Sequence, residues 1–120
     1  MKHHLLLLFF FFLSKVVWGA PDYLKEVKPL FASRCFDCHG ALKQEAKLRV
    51  DTAQAMIDME MIIPGEPDDS ELIYRITTDE PEERMPPEHE GAMFIESEVK
   101  IIRAWIASGA QSPKDEQPEQ

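Results

Sequence analysis

Two thiols and an imidazole fall within five residues, Cys35-Phe36-Asp37-Cys38-His39. Thiols three positions apart can each add to a vinyl group of one porphyrin, forming two thioether bonds. The residue after the second thiol then brings an imidazole to the iron from the same side. A neutral ring nitrogen is a good iron ligand, and the other nitrogen can be oriented by a backbone carbonyl. C-x-x-C-H is thus the attachment pattern of a c-type haem. Cys35 and Cys38 are the only cysteines of the 120 residues, so neither has a competing partner.

Three other readings of this spacing are weaker. A thioredoxin-like redox pair needs a βαβ alternation, which the chain lacks. A zinc site wants four nitrogen or sulfur ligands. Once the amino-terminal twenty residues are set aside, the soft donors are Cys35, Cys38, His39 and His89. A tetrahedral site built on the adjacent Cys38 and His39 is awkward. The third reading is a plain disulfide.

The amino terminus has the layout of a secretory signal. Met1-Lys2-His3-His4 is a short polar start, Leu5 to Leu13 is an unbroken apolar run, and Ser14 to Ala20 ends in small residues. Val17-x-Gly19 suits cleavage better than Trp18-x-Ala20, because Trp is bulky at the upstream place. The run is short for a membrane span and Lys15 interrupts it. Residues 1–20 are therefore expected to be a signal peptide, with contact to a membrane only if that segment stays uncleaved. Removing them takes Lys2 and Lys15 and no acid, which leaves 11 bases against 22 acids, a net charge of −11. Such a balance argues against nucleic acid and anionic lipid, and is compatible equally with solubility alone and with a basic partner whose binding depends strongly on salt.

The elements that must position the motif read as short helices separated by proline-bearing loops. Leu24, Val27, Leu30 and Phe31 have helical spacing over Tyr23 to Phe36, with Pro29 in the first regular turn. Thr52 to Asp58 reads as a short helix. Met56, Ile57, Met59, Met61, Ile62 and Ile63 form a methionine-rich patch before Pro64-Gly65, a composition typical of adaptable core. Asp68-x-x-Glu71 reads as a cap for a helix through Ile76 that buries Leu72, Ile73 and Ile76. Ile95, Val99, Ile102 and Ile106 make one helical stripe with Trp105 at its edge, closed by Gly109. Residues 111–120 are polar and expected to be a disordered tail. No stretch alternates strongly enough to be a strand, and there are no internal repeats.

A second site candidate is Arg84-Met85-Pro86-Pro87, in the charged loop from Asp79 to Glu90. An iron held by His39 on one side needs a sixth ligand, and a thioether favours the ferrous state. Pro86 biases Met85 towards an extended backbone, and Pro87 stiffens the same stretch. Met93, the Met56, Met59 and Met61 patch, and His89 are competing donors. Arg49, Arg75 and Arg84 are candidate partners for haem propionates.

Taken in order, several segments resemble the planctomycete-type cytochrome c domain. They are Val27-Lys28-Pro29-Leu30-Phe31, the haem motif with Gly40, Leu48-Arg49-Val50-Asp51, Ile63-Pro64-Gly65-Glu66-Pro67, Ser70 to Ile76, Arg84-Met85-Pro86-Pro87 and Ile101 to Ala110. The resemblance runs from about Tyr23 to Ala110 and sets the expected domain at 21–110. It implies an all-α, cytochrome c-like fold wrapped around one haem c, with the first and last helices packed across each other. It implies thioethers at Cys35 and Cys38, His39 as proximal iron ligand and Met85 as distal ligand. The last helix departs from the family's usual opening at Phe94-Ile95-Glu96-Ser97, which leaves its start open by a turn.

The expected activity is single-electron transfer by an exported monohaem cytochrome, periplasmic or extracellular, that meets redox protein partners and performs no bond chemistry. The alternatives are the haem domain of a larger secreted oxidoreductase or peroxidase-like enzyme, and a non-haem zinc or disulfide module.

Overall fold

The computed structural model describes residues 19–118. The signal-peptide expectation therefore lies outside the described residues, Gly19 and Ala20 excepted. The described residues are helical and contain no strand; one isolated bridge pairs His39 with Gln44.

The first helix opens with a widened π turn, Tyr23–Val27, in which the Lys28 N–H reaches back to the Tyr23 carbonyl. Asp22 caps it by accepting from the Lys25 N–H at 2.9 Å. The α-helix α1 follows, Lys28–Arg34, with Pro29 in its first turn as expected. The widened turn changes which face is buried. Tyr23, Val27 and Phe31, four apart, enter the core, whereas Leu24, expected there, is 51 % exposed. A short helix α2, Phe36–His39, carries the motif. A tight turn at Glu45–Lys47, left-handed at Ala46 and Lys47, then leads to α3, Ala53–Asp58, capped by the Thr52 side chain accepting from the Ala55 N–H.

The helix α4, Glu71–Thr77, buries Leu72, Ile73 and Ile76 as the pattern requires, but its cap differs from the expected Asp68. Pro67–Asp69 forms its own 3₁₀ turn, and α4 starts from Ser70. The Ser70 hydroxyl is turned inward, donating to the Glu66 carbonyl at 2.8 Å and accepting from the Ile63 N–H at 2.9 Å. The last helix α5, Glu96–Ala107, begins when the Glu98 carboxylate accepts from the Ile95 N–H at 3.0 Å. It ends in a Schellman arrangement: Gly109, at φ +111°, donates to the Ile106 carbonyl, and the Ala110 N–H donates to that of Trp105. Ile95, expected on the apolar stripe, is exposed because it stands outside the helix, while Trp105 is fully buried rather than at the edge.

Trp105 joins the two ends of the domain. Its ring stacks on Tyr23 at 5.0 Å between centroids and meets Phe31 edge-on at 6.2 Å. Ile102 and Ile106 from α5 and Val27 from the first helix fill the same core, together with Met56, Ile62 and Ile76. The first and last helices are thereby packed against each other, as the resemblance implies. The segment expected to be a loose tail contains a structured contact. Glu116 is buried and accepts from the Tyr23 hydroxyl, from Lys28 Nζ at 2.9 Å and from the Ala53 N–H at 2.9 Å.

Candidate functional site

His39 reaches its place through tight local geometry. Gly40 lies against the preceding turn so closely that a Cβ there would sit 2.4 Å from the Phe36 carbonyl oxygen. Glycine is therefore required for the chain to leave the motif in this direction. The Gly40 N–H donates to the Lys43 carbonyl at 2.8 Å, and the Val50 N–H to the His39 carbonyl at 2.8 Å. The returning loop puts the Glu45 carbonyl oxygen 3.0 Å from His39 Nδ1. A carbonyl only accepts, so Nδ1 carries the proton and Nε2 keeps its lone pair for a ligand.

Cys35 and Cys38 are half-buried and unpaired thiols. Burial pushes the Cys35 thiol up to about 12, against a smaller downward pull from Arg34. Arg34 itself forks onto Glu98 at 2.9 and 3.0 Å and lies over the Phe94 ring at 4.6 Å, which ties the helix before the motif to α5.

Met85 projects from the loop that follows α4. Its N–H donates to the Arg75 carbonyl at 2.8 Å, and its peptide bond to Pro86 is cis. Three cavities share His39 and Met85 in their walls. One, of about 360 Å³, lies between the motif with both cysteines and the loop from Met85 to Ala92. Another, of about 390 Å³, is bounded by Cys38, Lys43, His89 and Glu90. The third, of about 340 Å³, is walled by Leu48, Met59, Met61 and Arg75. Volumes of this size are usual for small-molecule and cofactor sites.

All four sequence-predicted residues, Cys35, Cys38, His39 and Met85, thus border one cavity. The competing donors are distributed differently. Met56 is fully buried in the core, and Met93 lines a separate groove with Phe94 and Val99. Met59, Met61 and His89 border cavities that also touch His39. Of the three arginines, Arg75 lines a cavity with His39 and Met85. Arg49 instead forks onto the buried Asp51 carboxylate at 3.0 and 2.7 Å, and Arg84 is engaged by backbone carbonyls. Two contributors were not anticipated. Arg34 stands immediately before the motif, a position that does signal its nearness. The Glu45 carbonyl is a main-chain group and leaves no trace in residue type.

The donor set fits a haem. Two thiols at the attachment spacing, an imidazole with a free Nε2 and a soft thioether meet around space walled by Leu48, Ala46, Pro86 and Pro87. The zinc alternative gains nothing from the arrangement: among the described residues no three His, Cys, Asp or Glu side chains gather to hold a metal ion. No helix among them is long and apolar enough to cross a membrane.

Residues 35–89 match the family described as Planctomycete cytochrome C. That span starts at the first thiol of the motif and runs past Met85 to His89. No curated protein and no solved structure matches the chain.

Proposed function

Because its segment from Cys35 to His89 matches the family described as Planctomycete cytochrome C, we propose that this chain is an exported monohaem cytochrome that passes single electrons and performs no bond chemistry. The observation that carries the reading is that His39 and Met85, 46 positions apart, line the same cavity as both cysteines. Cys35 and Cys38 would hold the porphyrin as thioethers, and His39 and Met85 would supply nitrogen and sulfur ligands to its iron. Bound there, the haem iron supplies the one-electron Fe(III)/Fe(II) couple.

The residues of the chain have separate tasks. The Glu45 carbonyl fixes the tautomer and ring orientation of His39, which raises its basicity as a ligand. Pro86, buried, and Pro87 stiffen the loop behind Met85, so presenting its sulfur costs little ordering entropy. Leu48, Met59 and Met61 give one wall an apolar surface. With His39 and Met85 both holding the iron, the chain's own side chains would slow the entry of exogenous ligands.

A basic redox partner suits the surroundings. Glu90 borders two of the cavities, and Glu82, Glu83 and Glu88 are exposed on the same loop. Long-range attraction of this kind weakens with salt. Export through the signal expected in residues 1–20 would fit this reading, since c-type haem is attached outside the cytoplasmic membrane.

The test is to express the full chain with haem-ligating machinery, then record intact mass and the reduced and oxidised absorption spectra. One covalently added haem, with the far-red band of thioether-ligated ferric iron that disappears in Met85→Ala, supports the proposal. A colourless product of bare polypeptide mass overturns it. Rapid cyanide binding to the ferric wild type would favour a peroxidase-like site with a labile sixth position.

A further inference from the structure

Arg84 does not reach outward to an anion. Its Nε donates to the Pro86 carbonyl at 3.0 Å and its Nη2 to the Gly91 carbonyl at 3.1 Å. Arg75 acts on the same loop from α4: its Nη1 donates to the Glu83 carbonyl at 3.2 Å, while its carbonyl receives the Met85 N–H. Main-chain groups at 83, 85 and 86 are therefore each held, in a segment with no regular secondary structure of its own to hold them. Gly91, at φ +154° and ψ 176°, takes a backbone conformation essentially confined to glycine, so this acceptor also depends on a particular residue.

We infer that Arg84 is a positioning residue for Met85: its guanidinium gathers the Pro86 and Gly91 carbonyls on one planar fork and so sets where the adjoining thioether stands in the cavity lined by His39. The inference rests on the proposed ligation by Met85. Three properties of the side chain carry it. The guanidinium stays charged, and charge-assisted hydrogen bonds are stronger than neutral ones. Two of its donors act together at fixed angles, which a lysine ammonium cannot reproduce. Finally, one of the two acceptors belongs to the residue directly after Met85, so losing the fork frees the backbone beside the sulfur.

The test compares haem-loaded wild type with Arg84→Gln, Arg84→Lys and Met85→Ala. The readouts are the far-red band of the ferric protein and the rate of cyanide binding. Arg84→Gln is expected to weaken the band and to speed cyanide binding roughly tenfold or more, the factor expected from losing a hydrogen bond to a charged group. Arg84→Lys keeps the charge and the aliphatic stem, should fold if the Gln variant does not, and is expected to fall between Gln and wild type. A Gln or Lys variant with the wild-type band and cyanide rate overturns the inference while leaving Met85 as ligand. If Met85→Ala itself changes neither readout, the ligand assignment fails, and the role of Arg84 fails with it.

Discussion

His39 Nδ1 lies 3.0 Å from the carbonyl oxygen of Glu45, six residues ahead in the chain. The contact depends on a turn in which the next two residues, Ala46 and Lys47, both have left-handed backbones, at φ +52° and +59°. Left-handed conformation costs an L-residue about 1–2 kcal/mol, and glycine escapes most of that cost. Ala46→Gly should therefore stabilise the domain by about 0.5–1 kcal/mol and leave the haem spectrum unchanged. Ala46→Val should do the reverse and loosen the imidazole. Urea unfolding, followed alongside the Soret band, distinguishes the two results.

Gly40→Ala would place a methyl 2.4 Å from a backbone oxygen, which no side-chain rotation can relieve. The turn that joins the motif to the loop carrying Glu45 must then shift. We expect a destabilisation of roughly 1–3 kcal/mol, the range for overpacked sites. A lower yield of haem-loaded protein by intact mass should accompany it. Wild-type yield and melting temperature in the Ala variant would contradict the close approach.

Alkaline stability should be controlled at Tyr23. Burial, then the hydrogen bond to Glu116 and the charge of that carboxylate, push the phenol well above its ordinary 10.0. The neutral phenol is thus the folded form, whereas the unfolded chain ionises near pH 10. Above that pH the unfolded state binds fewer protons, so stability falls as pH rises. Tyr23→Phe should flatten this slope above about pH 10 in urea titrations. Glu116→Ala should cost roughly 3 kcal/mol at neutral pH, because it removes a buried carboxylate that receives bonds from Tyr23, Lys28 and Ala53. A Glu116→Ala variant as stable as wild type would mean that the carboxylate contributes nothing to closure.

Much of this organisation is legible in the chain. The short helix expected from Thr52 to Asp58 is there, with Thr52 as its cap rather than its first residue. Leu72, Ile73 and Ile76 keep a helical spacing that holds irrespective of distant contacts, and they are buried. The departures have physical causes. A single wide turn exchanges Tyr23 for Leu24, because a π turn shifts the face by one residue and nothing in the residue types marks it. Ser70 displaces Asp68 at the start of α4 because the serine hydroxyl is engaged by Glu66 and Ile63, which fixes the chain there. Glu116 meets Tyr23 across 93 positions, a separation that local pattern cannot register. Cys35, Cys38 and His39 stand out by type and spacing, Met85 by its proline-flanked loop and the family resemblance, and it is the fold that brings all four to one cavity.

The fork between Arg34 and Glu98 has a mechanical consequence. Glu98 also caps the first turn of the closing helix, so one carboxylate anchors both that helix and the residue just ahead of the first thiol. A tilt of the closing helix would strain the contact it makes beside Cys35. A protein that gripped the outer face of that helix would be pulling on the rim of the cavity from the far end of the sequence.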